Sequence, residues 1–172
     1  MAKHNGFSED ELCSAFADAV RNSGEFRGWV LDRTKFGGYA HSARLLHEEQ
    51  ISLRPRKHWW RHWWSYVPEI NRERETDIFM VFETPSSGRF ALHFEVKLGL
   101  SRFQPGQAAG YSPAARHMAN KPEFLSYSDH QTVLICPREF RERYPDDASL
   151  FDVSLTFDEL SPRLSHFAEK HE

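Results

Sequence analysis

Glu75-Thr-Asp77-Ile-Phe-Met-Val-Phe-Glu83, then Thr84-Pro-Ser-Ser-Gly88, then Arg89-Phe-Ala-Leu-His-Phe-Glu95-Val-Lys97-Leu98 is the stretch that decides the fold. Two runs rich in Val, Ile and Phe flank a Pro-Ser-Ser-Gly turn, which is a strand-turn-strand signal. Opposed residues in an antiparallel pair have a constant sum of numbers and share a face. A sum of 172 sets Asp77 against Glu95, Glu75 against Lys97 and Glu83 against Arg89. One face then carries Ile78, Met80, Phe82, Phe90, Leu92, Phe94, Val96 and Leu98, all apolar. The other carries Asp77, Phe79, Val81, Glu83, Arg89, Ala91, His93, Glu95 and Lys97. An odd sum would mix the faces, so the side-chain period selects an even register; sums of 170 and 174 keep the same faces.

Two carboxylates and a lysine thus share one face of an otherwise apolar hairpin. Burying charge there is costly unless the groups are paired or bind a cation. Asp and Glu oxygens suit Mg²⁺, which takes a few carboxylates together with water and substrate phosphate. Such an ion polarises a phosphate and activates water, and a neighbouring lysine can orient that water or stabilise developing negative charge. The structural alternative is a surface ladder of Glu75–Lys97 and Glu83–Arg89 pairs, with Asp77 and Glu95 solvated.

An acid on one strand, a turn, and E-x-K on the next strand resembles the core of the PD-(D/E)XK nuclease superfamily. The resemblance covers about residues 38–137. It implies a restriction-endonuclease-like α/β (α+β) fold, a central mixed sheet with an antiparallel hairpin core flanked by helices. The family order is helix, three antiparallel strands, helix, strand. Thr76 stands where the family name has proline. The implied activity is Mg²⁺-dependent hydrolysis of DNA phosphodiester bonds, with Mn²⁺ as a substitute and RNA left open. Asp77 and Glu95 would be metal ligands and Lys97 the water- or charge-handling group. Restriction, defence against phage or mobile elements, and repair are the implied settings, with a homodimer or a partner protein supplying recognition.

The family supplies a further acid from the helix before the sheet. Residues 38–53 read as one helix, with Tyr39, Leu45, Leu46 and Leu53 clustering on one side at 100° per residue. Glu49 falls within that arc and is the candidate inward carboxylate; Glu48 points away and is the reserve. After E-x-K the family has a polar helix residue. Gln107 and Tyr111 are four apart and would share a helix face, similar to a Q-x-x-x-Y pattern in exonuclease-like branches. Gln104 is the substitute for Gln107. Pro105 suits a first helical turn.

Around this core, Phe7-Ser8-Glu-Asp-Glu11-Leu12 fits a capping box opening a helix to about Asn22. Phe26–Leu31 reads as a strand and Pro113–Met118 as a helix. Gln131–Cys136 is a short apolar run expected of a strand buried on both faces. A helix over Arg138–Tyr144, a strand over Asp152–Phe157 and a partly helical tail complete the reading.

The 172 residues are 40% hydrophobic, enough for one globular domain over 1–172, with the helix and strand additions outside the core. The chain has no apolar run of membrane-spanning length and no signal-peptide pattern. Cys13 and Cys136 lie far apart without metal-ligand spacing, so a reduced, cytoplasmic protein without structural zinc is expected. The net charge is −3, but its distribution matters more than its sum. Residues 51–68 lack Asp and Glu, and Arg54, Arg56, Lys57 and Arg61 alternate there with Trp59, Trp60, Trp63, Trp64 and Tyr66. Cations interleaved with aromatics can grip phosphates and stack on bases. With Tyr111 they are the candidate nucleic-acid contacts. The competing function is a catalytically inactive module of this fold that binds nucleic acid or a protein through segment 54–66. His93 faces the candidate site and reads first as a structural histidine.

Overall fold

In a computed structural model describing residues 2–169, the hairpin forms in one of the even registers that side-chain alternation allows, the one with sum 172. Strands β4 (Ile78–Glu83) and β5 (Arg89–Val96) pair antiparallel from Ile78↔Phe94 to Glu83↔Arg89, each pair summing to 172. Thr84 closes the turn: its N–H donates to the Gly88 carbonyl at 2.8 Å and its hydroxyl accepts from the Gly88 N–H at 3.1 Å.

The even-numbered face packs on helices α1 (Glu9–Asn22) and α2 (Gly24–Asp32). Phe94 meets Phe16 edge-on, ring centroids 5.0 Å apart. Ser8 and Glu11 cap α1 reciprocally, as the capping box requires. The odd-numbered face is also covered. Phe79, Val81 and Ala91 form a second core with Trp63, Met118, Phe124 and Tyr127. Burial on both sides of the sheet withdraws Glu95, an odd-face residue, from water.

Strand β1 (Arg44–Leu45) pairs antiparallel with β4, and β6 (Asp129–Cys136) and β7 (Val153–Thr156) add in parallel beyond β5. The mixed five-stranded sheet has the order β1-β4-β5-β6-β7. Helix α4 (Tyr111–Met118) lies in the crossover that the parallel β5–β6 pair requires. Helices α5 (Arg138–Arg143) and α6 (Pro145–Ala148) lie in the next one, and α7 (Phe157–Leu160) follows β7.

Three expectations are corrected. Residues 38–53 are not one helix: a 3-10 turn spans Gly37–Tyr39, β1 follows, and α3 is confined to His47–Leu53. The exposed edge of β4 outcompetes local helix formation, because its backbone groups need partners. Leu46 N–H donates to the Val81 carbonyl at 2.8 Å, and buried Gln50 binds the Phe79 carbonyl and Val81 N–H through its amide. Phe26–Leu31 is helical within α2, started by the Ser23 side chain accepting from Phe26 N–H at 3.1 Å. Finally, the strand does not run through Glu75. Chain direction breaks at Asp77, and β3 (Arg72–Thr76) pairs with β2 (Trp63–Val67) in a separate hairpin. Glu75 therefore opposes Trp64 rather than Lys97, and accepts from the His62 N–H at 3.0 Å.

Among the described residues, no helix is long and apolar enough to cross a membrane. Cys13 and Cys136 are buried free thiols.

Candidate active site

The break before β4 leaves Asp77 outside the β4–β5 ladder and turns its side chain onto β5. Val96 N–H donates to Asp77 Oδ2 at 2.9 Å, so a carboxylate replaces the next rung of the ladder. Glu95, only 5% exposed, stands on the neighbouring strand, close enough for its charge to raise the Asp77 carboxyl. Gln107 Nε2 donates to Glu95 Oε1 at 3.0 Å, and the Tyr111 hydroxyl donates to Oε2 in a short contact. Gln107 and Tyr111 thus take one oxygen each. They do so from the two sides of a 3-10 turn (Ala108–Gly110) rather than from one regular helix.

Lys97 continues β5 beyond its last paired residue, where its N–H donates to the Ile135 carbonyl at 2.8 Å. Its ammonium lies 4.8 Å from the Phe103 ring centroid and 5.7 Å from that of Phe140. In front is a cleft of about 520 Å³, lined by Glu95, Lys97, Gln107, Arg61 and the first residues of α1, Glu9 and Asp10. Arg61 is tethered to Asp10 at 2.7 Å.

The electrostatics of these acids are unusual. Burial pushes the Glu95 carboxyl up to about 7; the Glu9 charge adds to this, and the Tyr111 hydroxyl, Asp77 and Lys97 oppose it. Asp77 is raised well above the carboxylate range, by burial first and by the Glu95 charge next, against the pull of Val96 N–H. Glu9 is raised by desolvation and by Asp77. Mutual repulsion in a confined, partly dry site is what a positive charge between the carboxylates would relieve.

The donor set defines which cation fits. Asp77 Oδ2 and both Glu95 oxygens each accept a hydrogen bond and keep lone pairs for a metal. Among the described residues, no group of three or more His, Cys, Asp or Glu side chains is close enough to hold a metal ion by itself. Two carboxylates suit a hard cation that keeps several waters and shares substrate phosphate, as Mg²⁺ does, and not a four-ligand zinc site.

Asp77, Glu95, Lys97, Gln107 and Tyr111 converge, and Arg61 joins them across the cleft. Tyr111 is buried on Glu95, a position that serves the carboxylate rather than a nucleic acid. Glu49 does not converge. It pairs with Arg44 at 2.7 Å, Arg44 also reaches Glu83 at 3.4 Å, and Glu83 binds Arg89 at 2.9 Å. That cluster sits at the turn end of β4, six residues or about 20 Å of strand from Asp77. The helix that does bring an acid to the cleft is α1, through Glu9. Its sequence signal was spent on the capping box, where a first-turn acid is ordinary, and no spacing ties it to residues 77 and 95.

The Trp/Arg segment divides. Trp59, Trp60 and Trp63 are buried, and Arg54 stacks on Trp63 at 4.4 Å while donating to the His62 carbonyl. Arg56 and Lys57 are exposed in the loop before β2. Trp64 and Tyr66 are exposed, but on the hairpin side that carries Glu75 and Glu73. His93 is structural: it lies between Thr76 and the Tyr127 hydroxyl, and burial lowers its pKa to about 3.

No protein-family model matches the chain, and neither a curated protein nor a solved structure is significantly similar to it.

Proposed function

We propose that the chain is a Mg²⁺-dependent nuclease that hydrolyses phosphodiester bonds of DNA on a restriction-endonuclease-like core. The observation that carries this reading is the Asp77–Glu95 carboxyl pair at the end of two strands, with Lys97 beside it and a cleft in front. The element order supports it. After α1 and α2 come β1, β4 and β5, each antiparallel to the one before, then α4, then β6 parallel to β5, with α3 and the β2–β3 hairpin inserted between β1 and β4.

In this reading Asp77 and Glu95 hold the cation, which when bound supplies charge for the phosphate and acidifies a water. Gln107 and Tyr111 orient Glu95 so that its remaining lone pairs face the cation. Glu9, at the mouth of the cleft, would add a negative charge beside the cation. Lys97, held against Phe103 and Phe140, presents its ammonium to the non-bridging oxygens as negative charge builds there. Arg61 grips an adjacent phosphate once freed from Asp10. Restriction, element defence or repair are the settings this activity would serve in a cytoplasmic protein, alone, as a homodimer or with a partner that adds recognition.

The deciding experiment incubates supercoiled, linear and single-stranded DNA, and RNA, with and without Mg²⁺ or Mn²⁺. Divalent-dependent cleavage that Asp77→Ala and Lys97→Ala abolish, with the folded circular dichroism spectrum retained, is the expected result. Wild-type protein that binds no divalent ion and cleaves none of these substrates would leave the inactive binding module as the better reading.

A further inference from the structure

Both oxygens of Glu95 are held from one short loop, and something must hold that loop. Gly106 has φ +78°, in the left-handed region. Its carbonyl accepts from Gly110 N–H at 3.1 Å and from Arg74 Nη2 at 2.5 Å. Arg74 comes from β3, outside the main sheet, and its guanidinium fills the space against Gly110. A Cβ on Gly110 would stand 2.6 Å from Arg74 Nε and 3.1 Å from Cζ, so only glycine admits the side chain as it lies. The same Nε is buried with no protein hydrogen-bond partner, a cost that marks the contact as tightly packed. Gln107 is further oriented by its own loop, its Oε1 accepting from Gln104 N–H at 3.3 Å, which leaves Nε2 for Glu95.

We infer that Arg74 is a positioning residue: it clamps the Gly106–Gly110 loop so that Gln107 and Tyr111 hold Glu95 in its metal-binding orientation. The catalytic consequence rests on the nuclease reading, whereas the clamp itself does not. Arg74 makes its hydrogen bond to the Gly106 carbonyl and none to Asp77 or Glu95. It acts through Gln107 and Tyr111, making the β2–β3 hairpin a structural support of the site rather than an ornament beside it.

A double-mutant cycle tests this. Wild type, Arg74→Ala, Gln107→Ala and the double variant are compared for the Mg²⁺ concentration giving half-maximal cleavage of a fluorescent DNA oligonucleotide. Amide hydrogen exchange over residues 104–111 is measured on the metal-free proteins. Loss of an outer-shell partner costs about 10- to 100-fold in metal affinity. Arg74→Ala should therefore raise the Mg²⁺ half-point about tenfold and accelerate exchange in the loop, while shifting the thermal midpoint by less than about 4 °C. The double variant should lose clearly less than the two single losses combined, because the changes share the Gln107 contact and only the Tyr111 contact remains for Arg74 to support. Gly110→Ala should reproduce the Arg74→Ala profile, and Arg74→Lys, which retains a donor for the Gly106 carbonyl, should recover part of the loss. If Arg74→Ala does not fold, Gly110→Ala takes its place in the cycle. Additive effects, or unchanged loop exchange in the clamp variants, overturn the inference. If wild type neither binds divalent ions nor cleaves, the nuclease reading fails, and loop exchange alone decides the clamp.

Discussion

The two ends of the β4–β5 hairpin each gather carboxylates and treat them in opposite ways. At the turn end, Glu83 and Glu49 are met by Arg89 and Arg44. Arg89 and Arg44 hold Glu83 below its ordinary range; at Glu49 burial works upward, and the Arg44 contact overcomes it. At the open end, Asp77, Glu95 and Glu9 are all raised, with burial the first cause at each. The nearby cations are otherwise engaged, Arg61 with Asp10 and Lys97 over two rings. Acids supplied with their own arginines are finished structural pairs. Acids crowded together in a dry corner remain short of positive charge, which is the condition of a site built to receive it.

Substitution at the two ends should separate them most widely. Asp77→Ala or Lys97→Ala should lower the Mg²⁺-dependent cleavage rate by about 10³-fold, roughly 4 kcal/mol of barrier, measured as initial rates on labelled DNA. Glu49→Gln should stay within about twofold of wild type. An equal loss at Glu49 would break the comparison.

Stability against pH sharpens it next. The Glu95 pKa is raised on folding, so between 4.5 and about 7 the native state binds more protons than the unfolded chain. Glu95 therefore carries no penalty below pH 4.5, and its contribution to stability falls as pH rises, reaching a loss on the order of 3 kcal/mol above about 7. His93 works in the opposite sense: its folded pKa of about 3 removes stability as pH falls below 6.5. Urea unfolding of metal-free wild type and Glu95→Gln across this range reads, as their difference, the Glu95 contribution together with the part of the Asp77 shift that the Glu95 charge causes. Saturating Mg²⁺ should abolish the Glu95-dependent slope. A difference that does not change with pH would show Glu95 to be an ordinary carboxylate.

Smaller effects follow at the margins. Glu9→Gln should raise the Mg²⁺ half-saturation point about tenfold, near 1.4 kcal/mol, in the same cleavage assay. Glu83→Gln should cost less than about 1 kcal/mol in urea unfolding, independent of Mg²⁺, because its ion pairs lie near the surface.

Which parts were legible follows from the range of the interactions involved. The hairpin register needs only alternation and a turn, and both are local to residues 77–97. The capping box at Ser8 and the α4, β6 and β7 assignments also rest on neighbouring residues. Residues 38–53 failed because their helical periodicity competes with the open edge of β4, some thirty positions later. Glu49 goes with them: a wheel position over 38–53 has no meaning in a helix that starts only at His47. Glu9 and Arg74 left no signal, since an acid in a first helical turn and an arginine in a charged strand are unremarkable in one dimension.

By itself, the sequence determined the pairing of the two central strands, their apolar even face and the common face of Asp77, Glu95 and Lys97, because side-chain period two leaves only even registers with an unmixed core. Only the tertiary structure decided that Asp77 breaks the strand, that a second core dries the odd face, and that Glu9, Gln107, Tyr111 and Arg74 meet around Glu95. Those outcomes depend on which distant segments cover each face and supply each hydrogen bond. Packing decides that, and no local pattern encodes it.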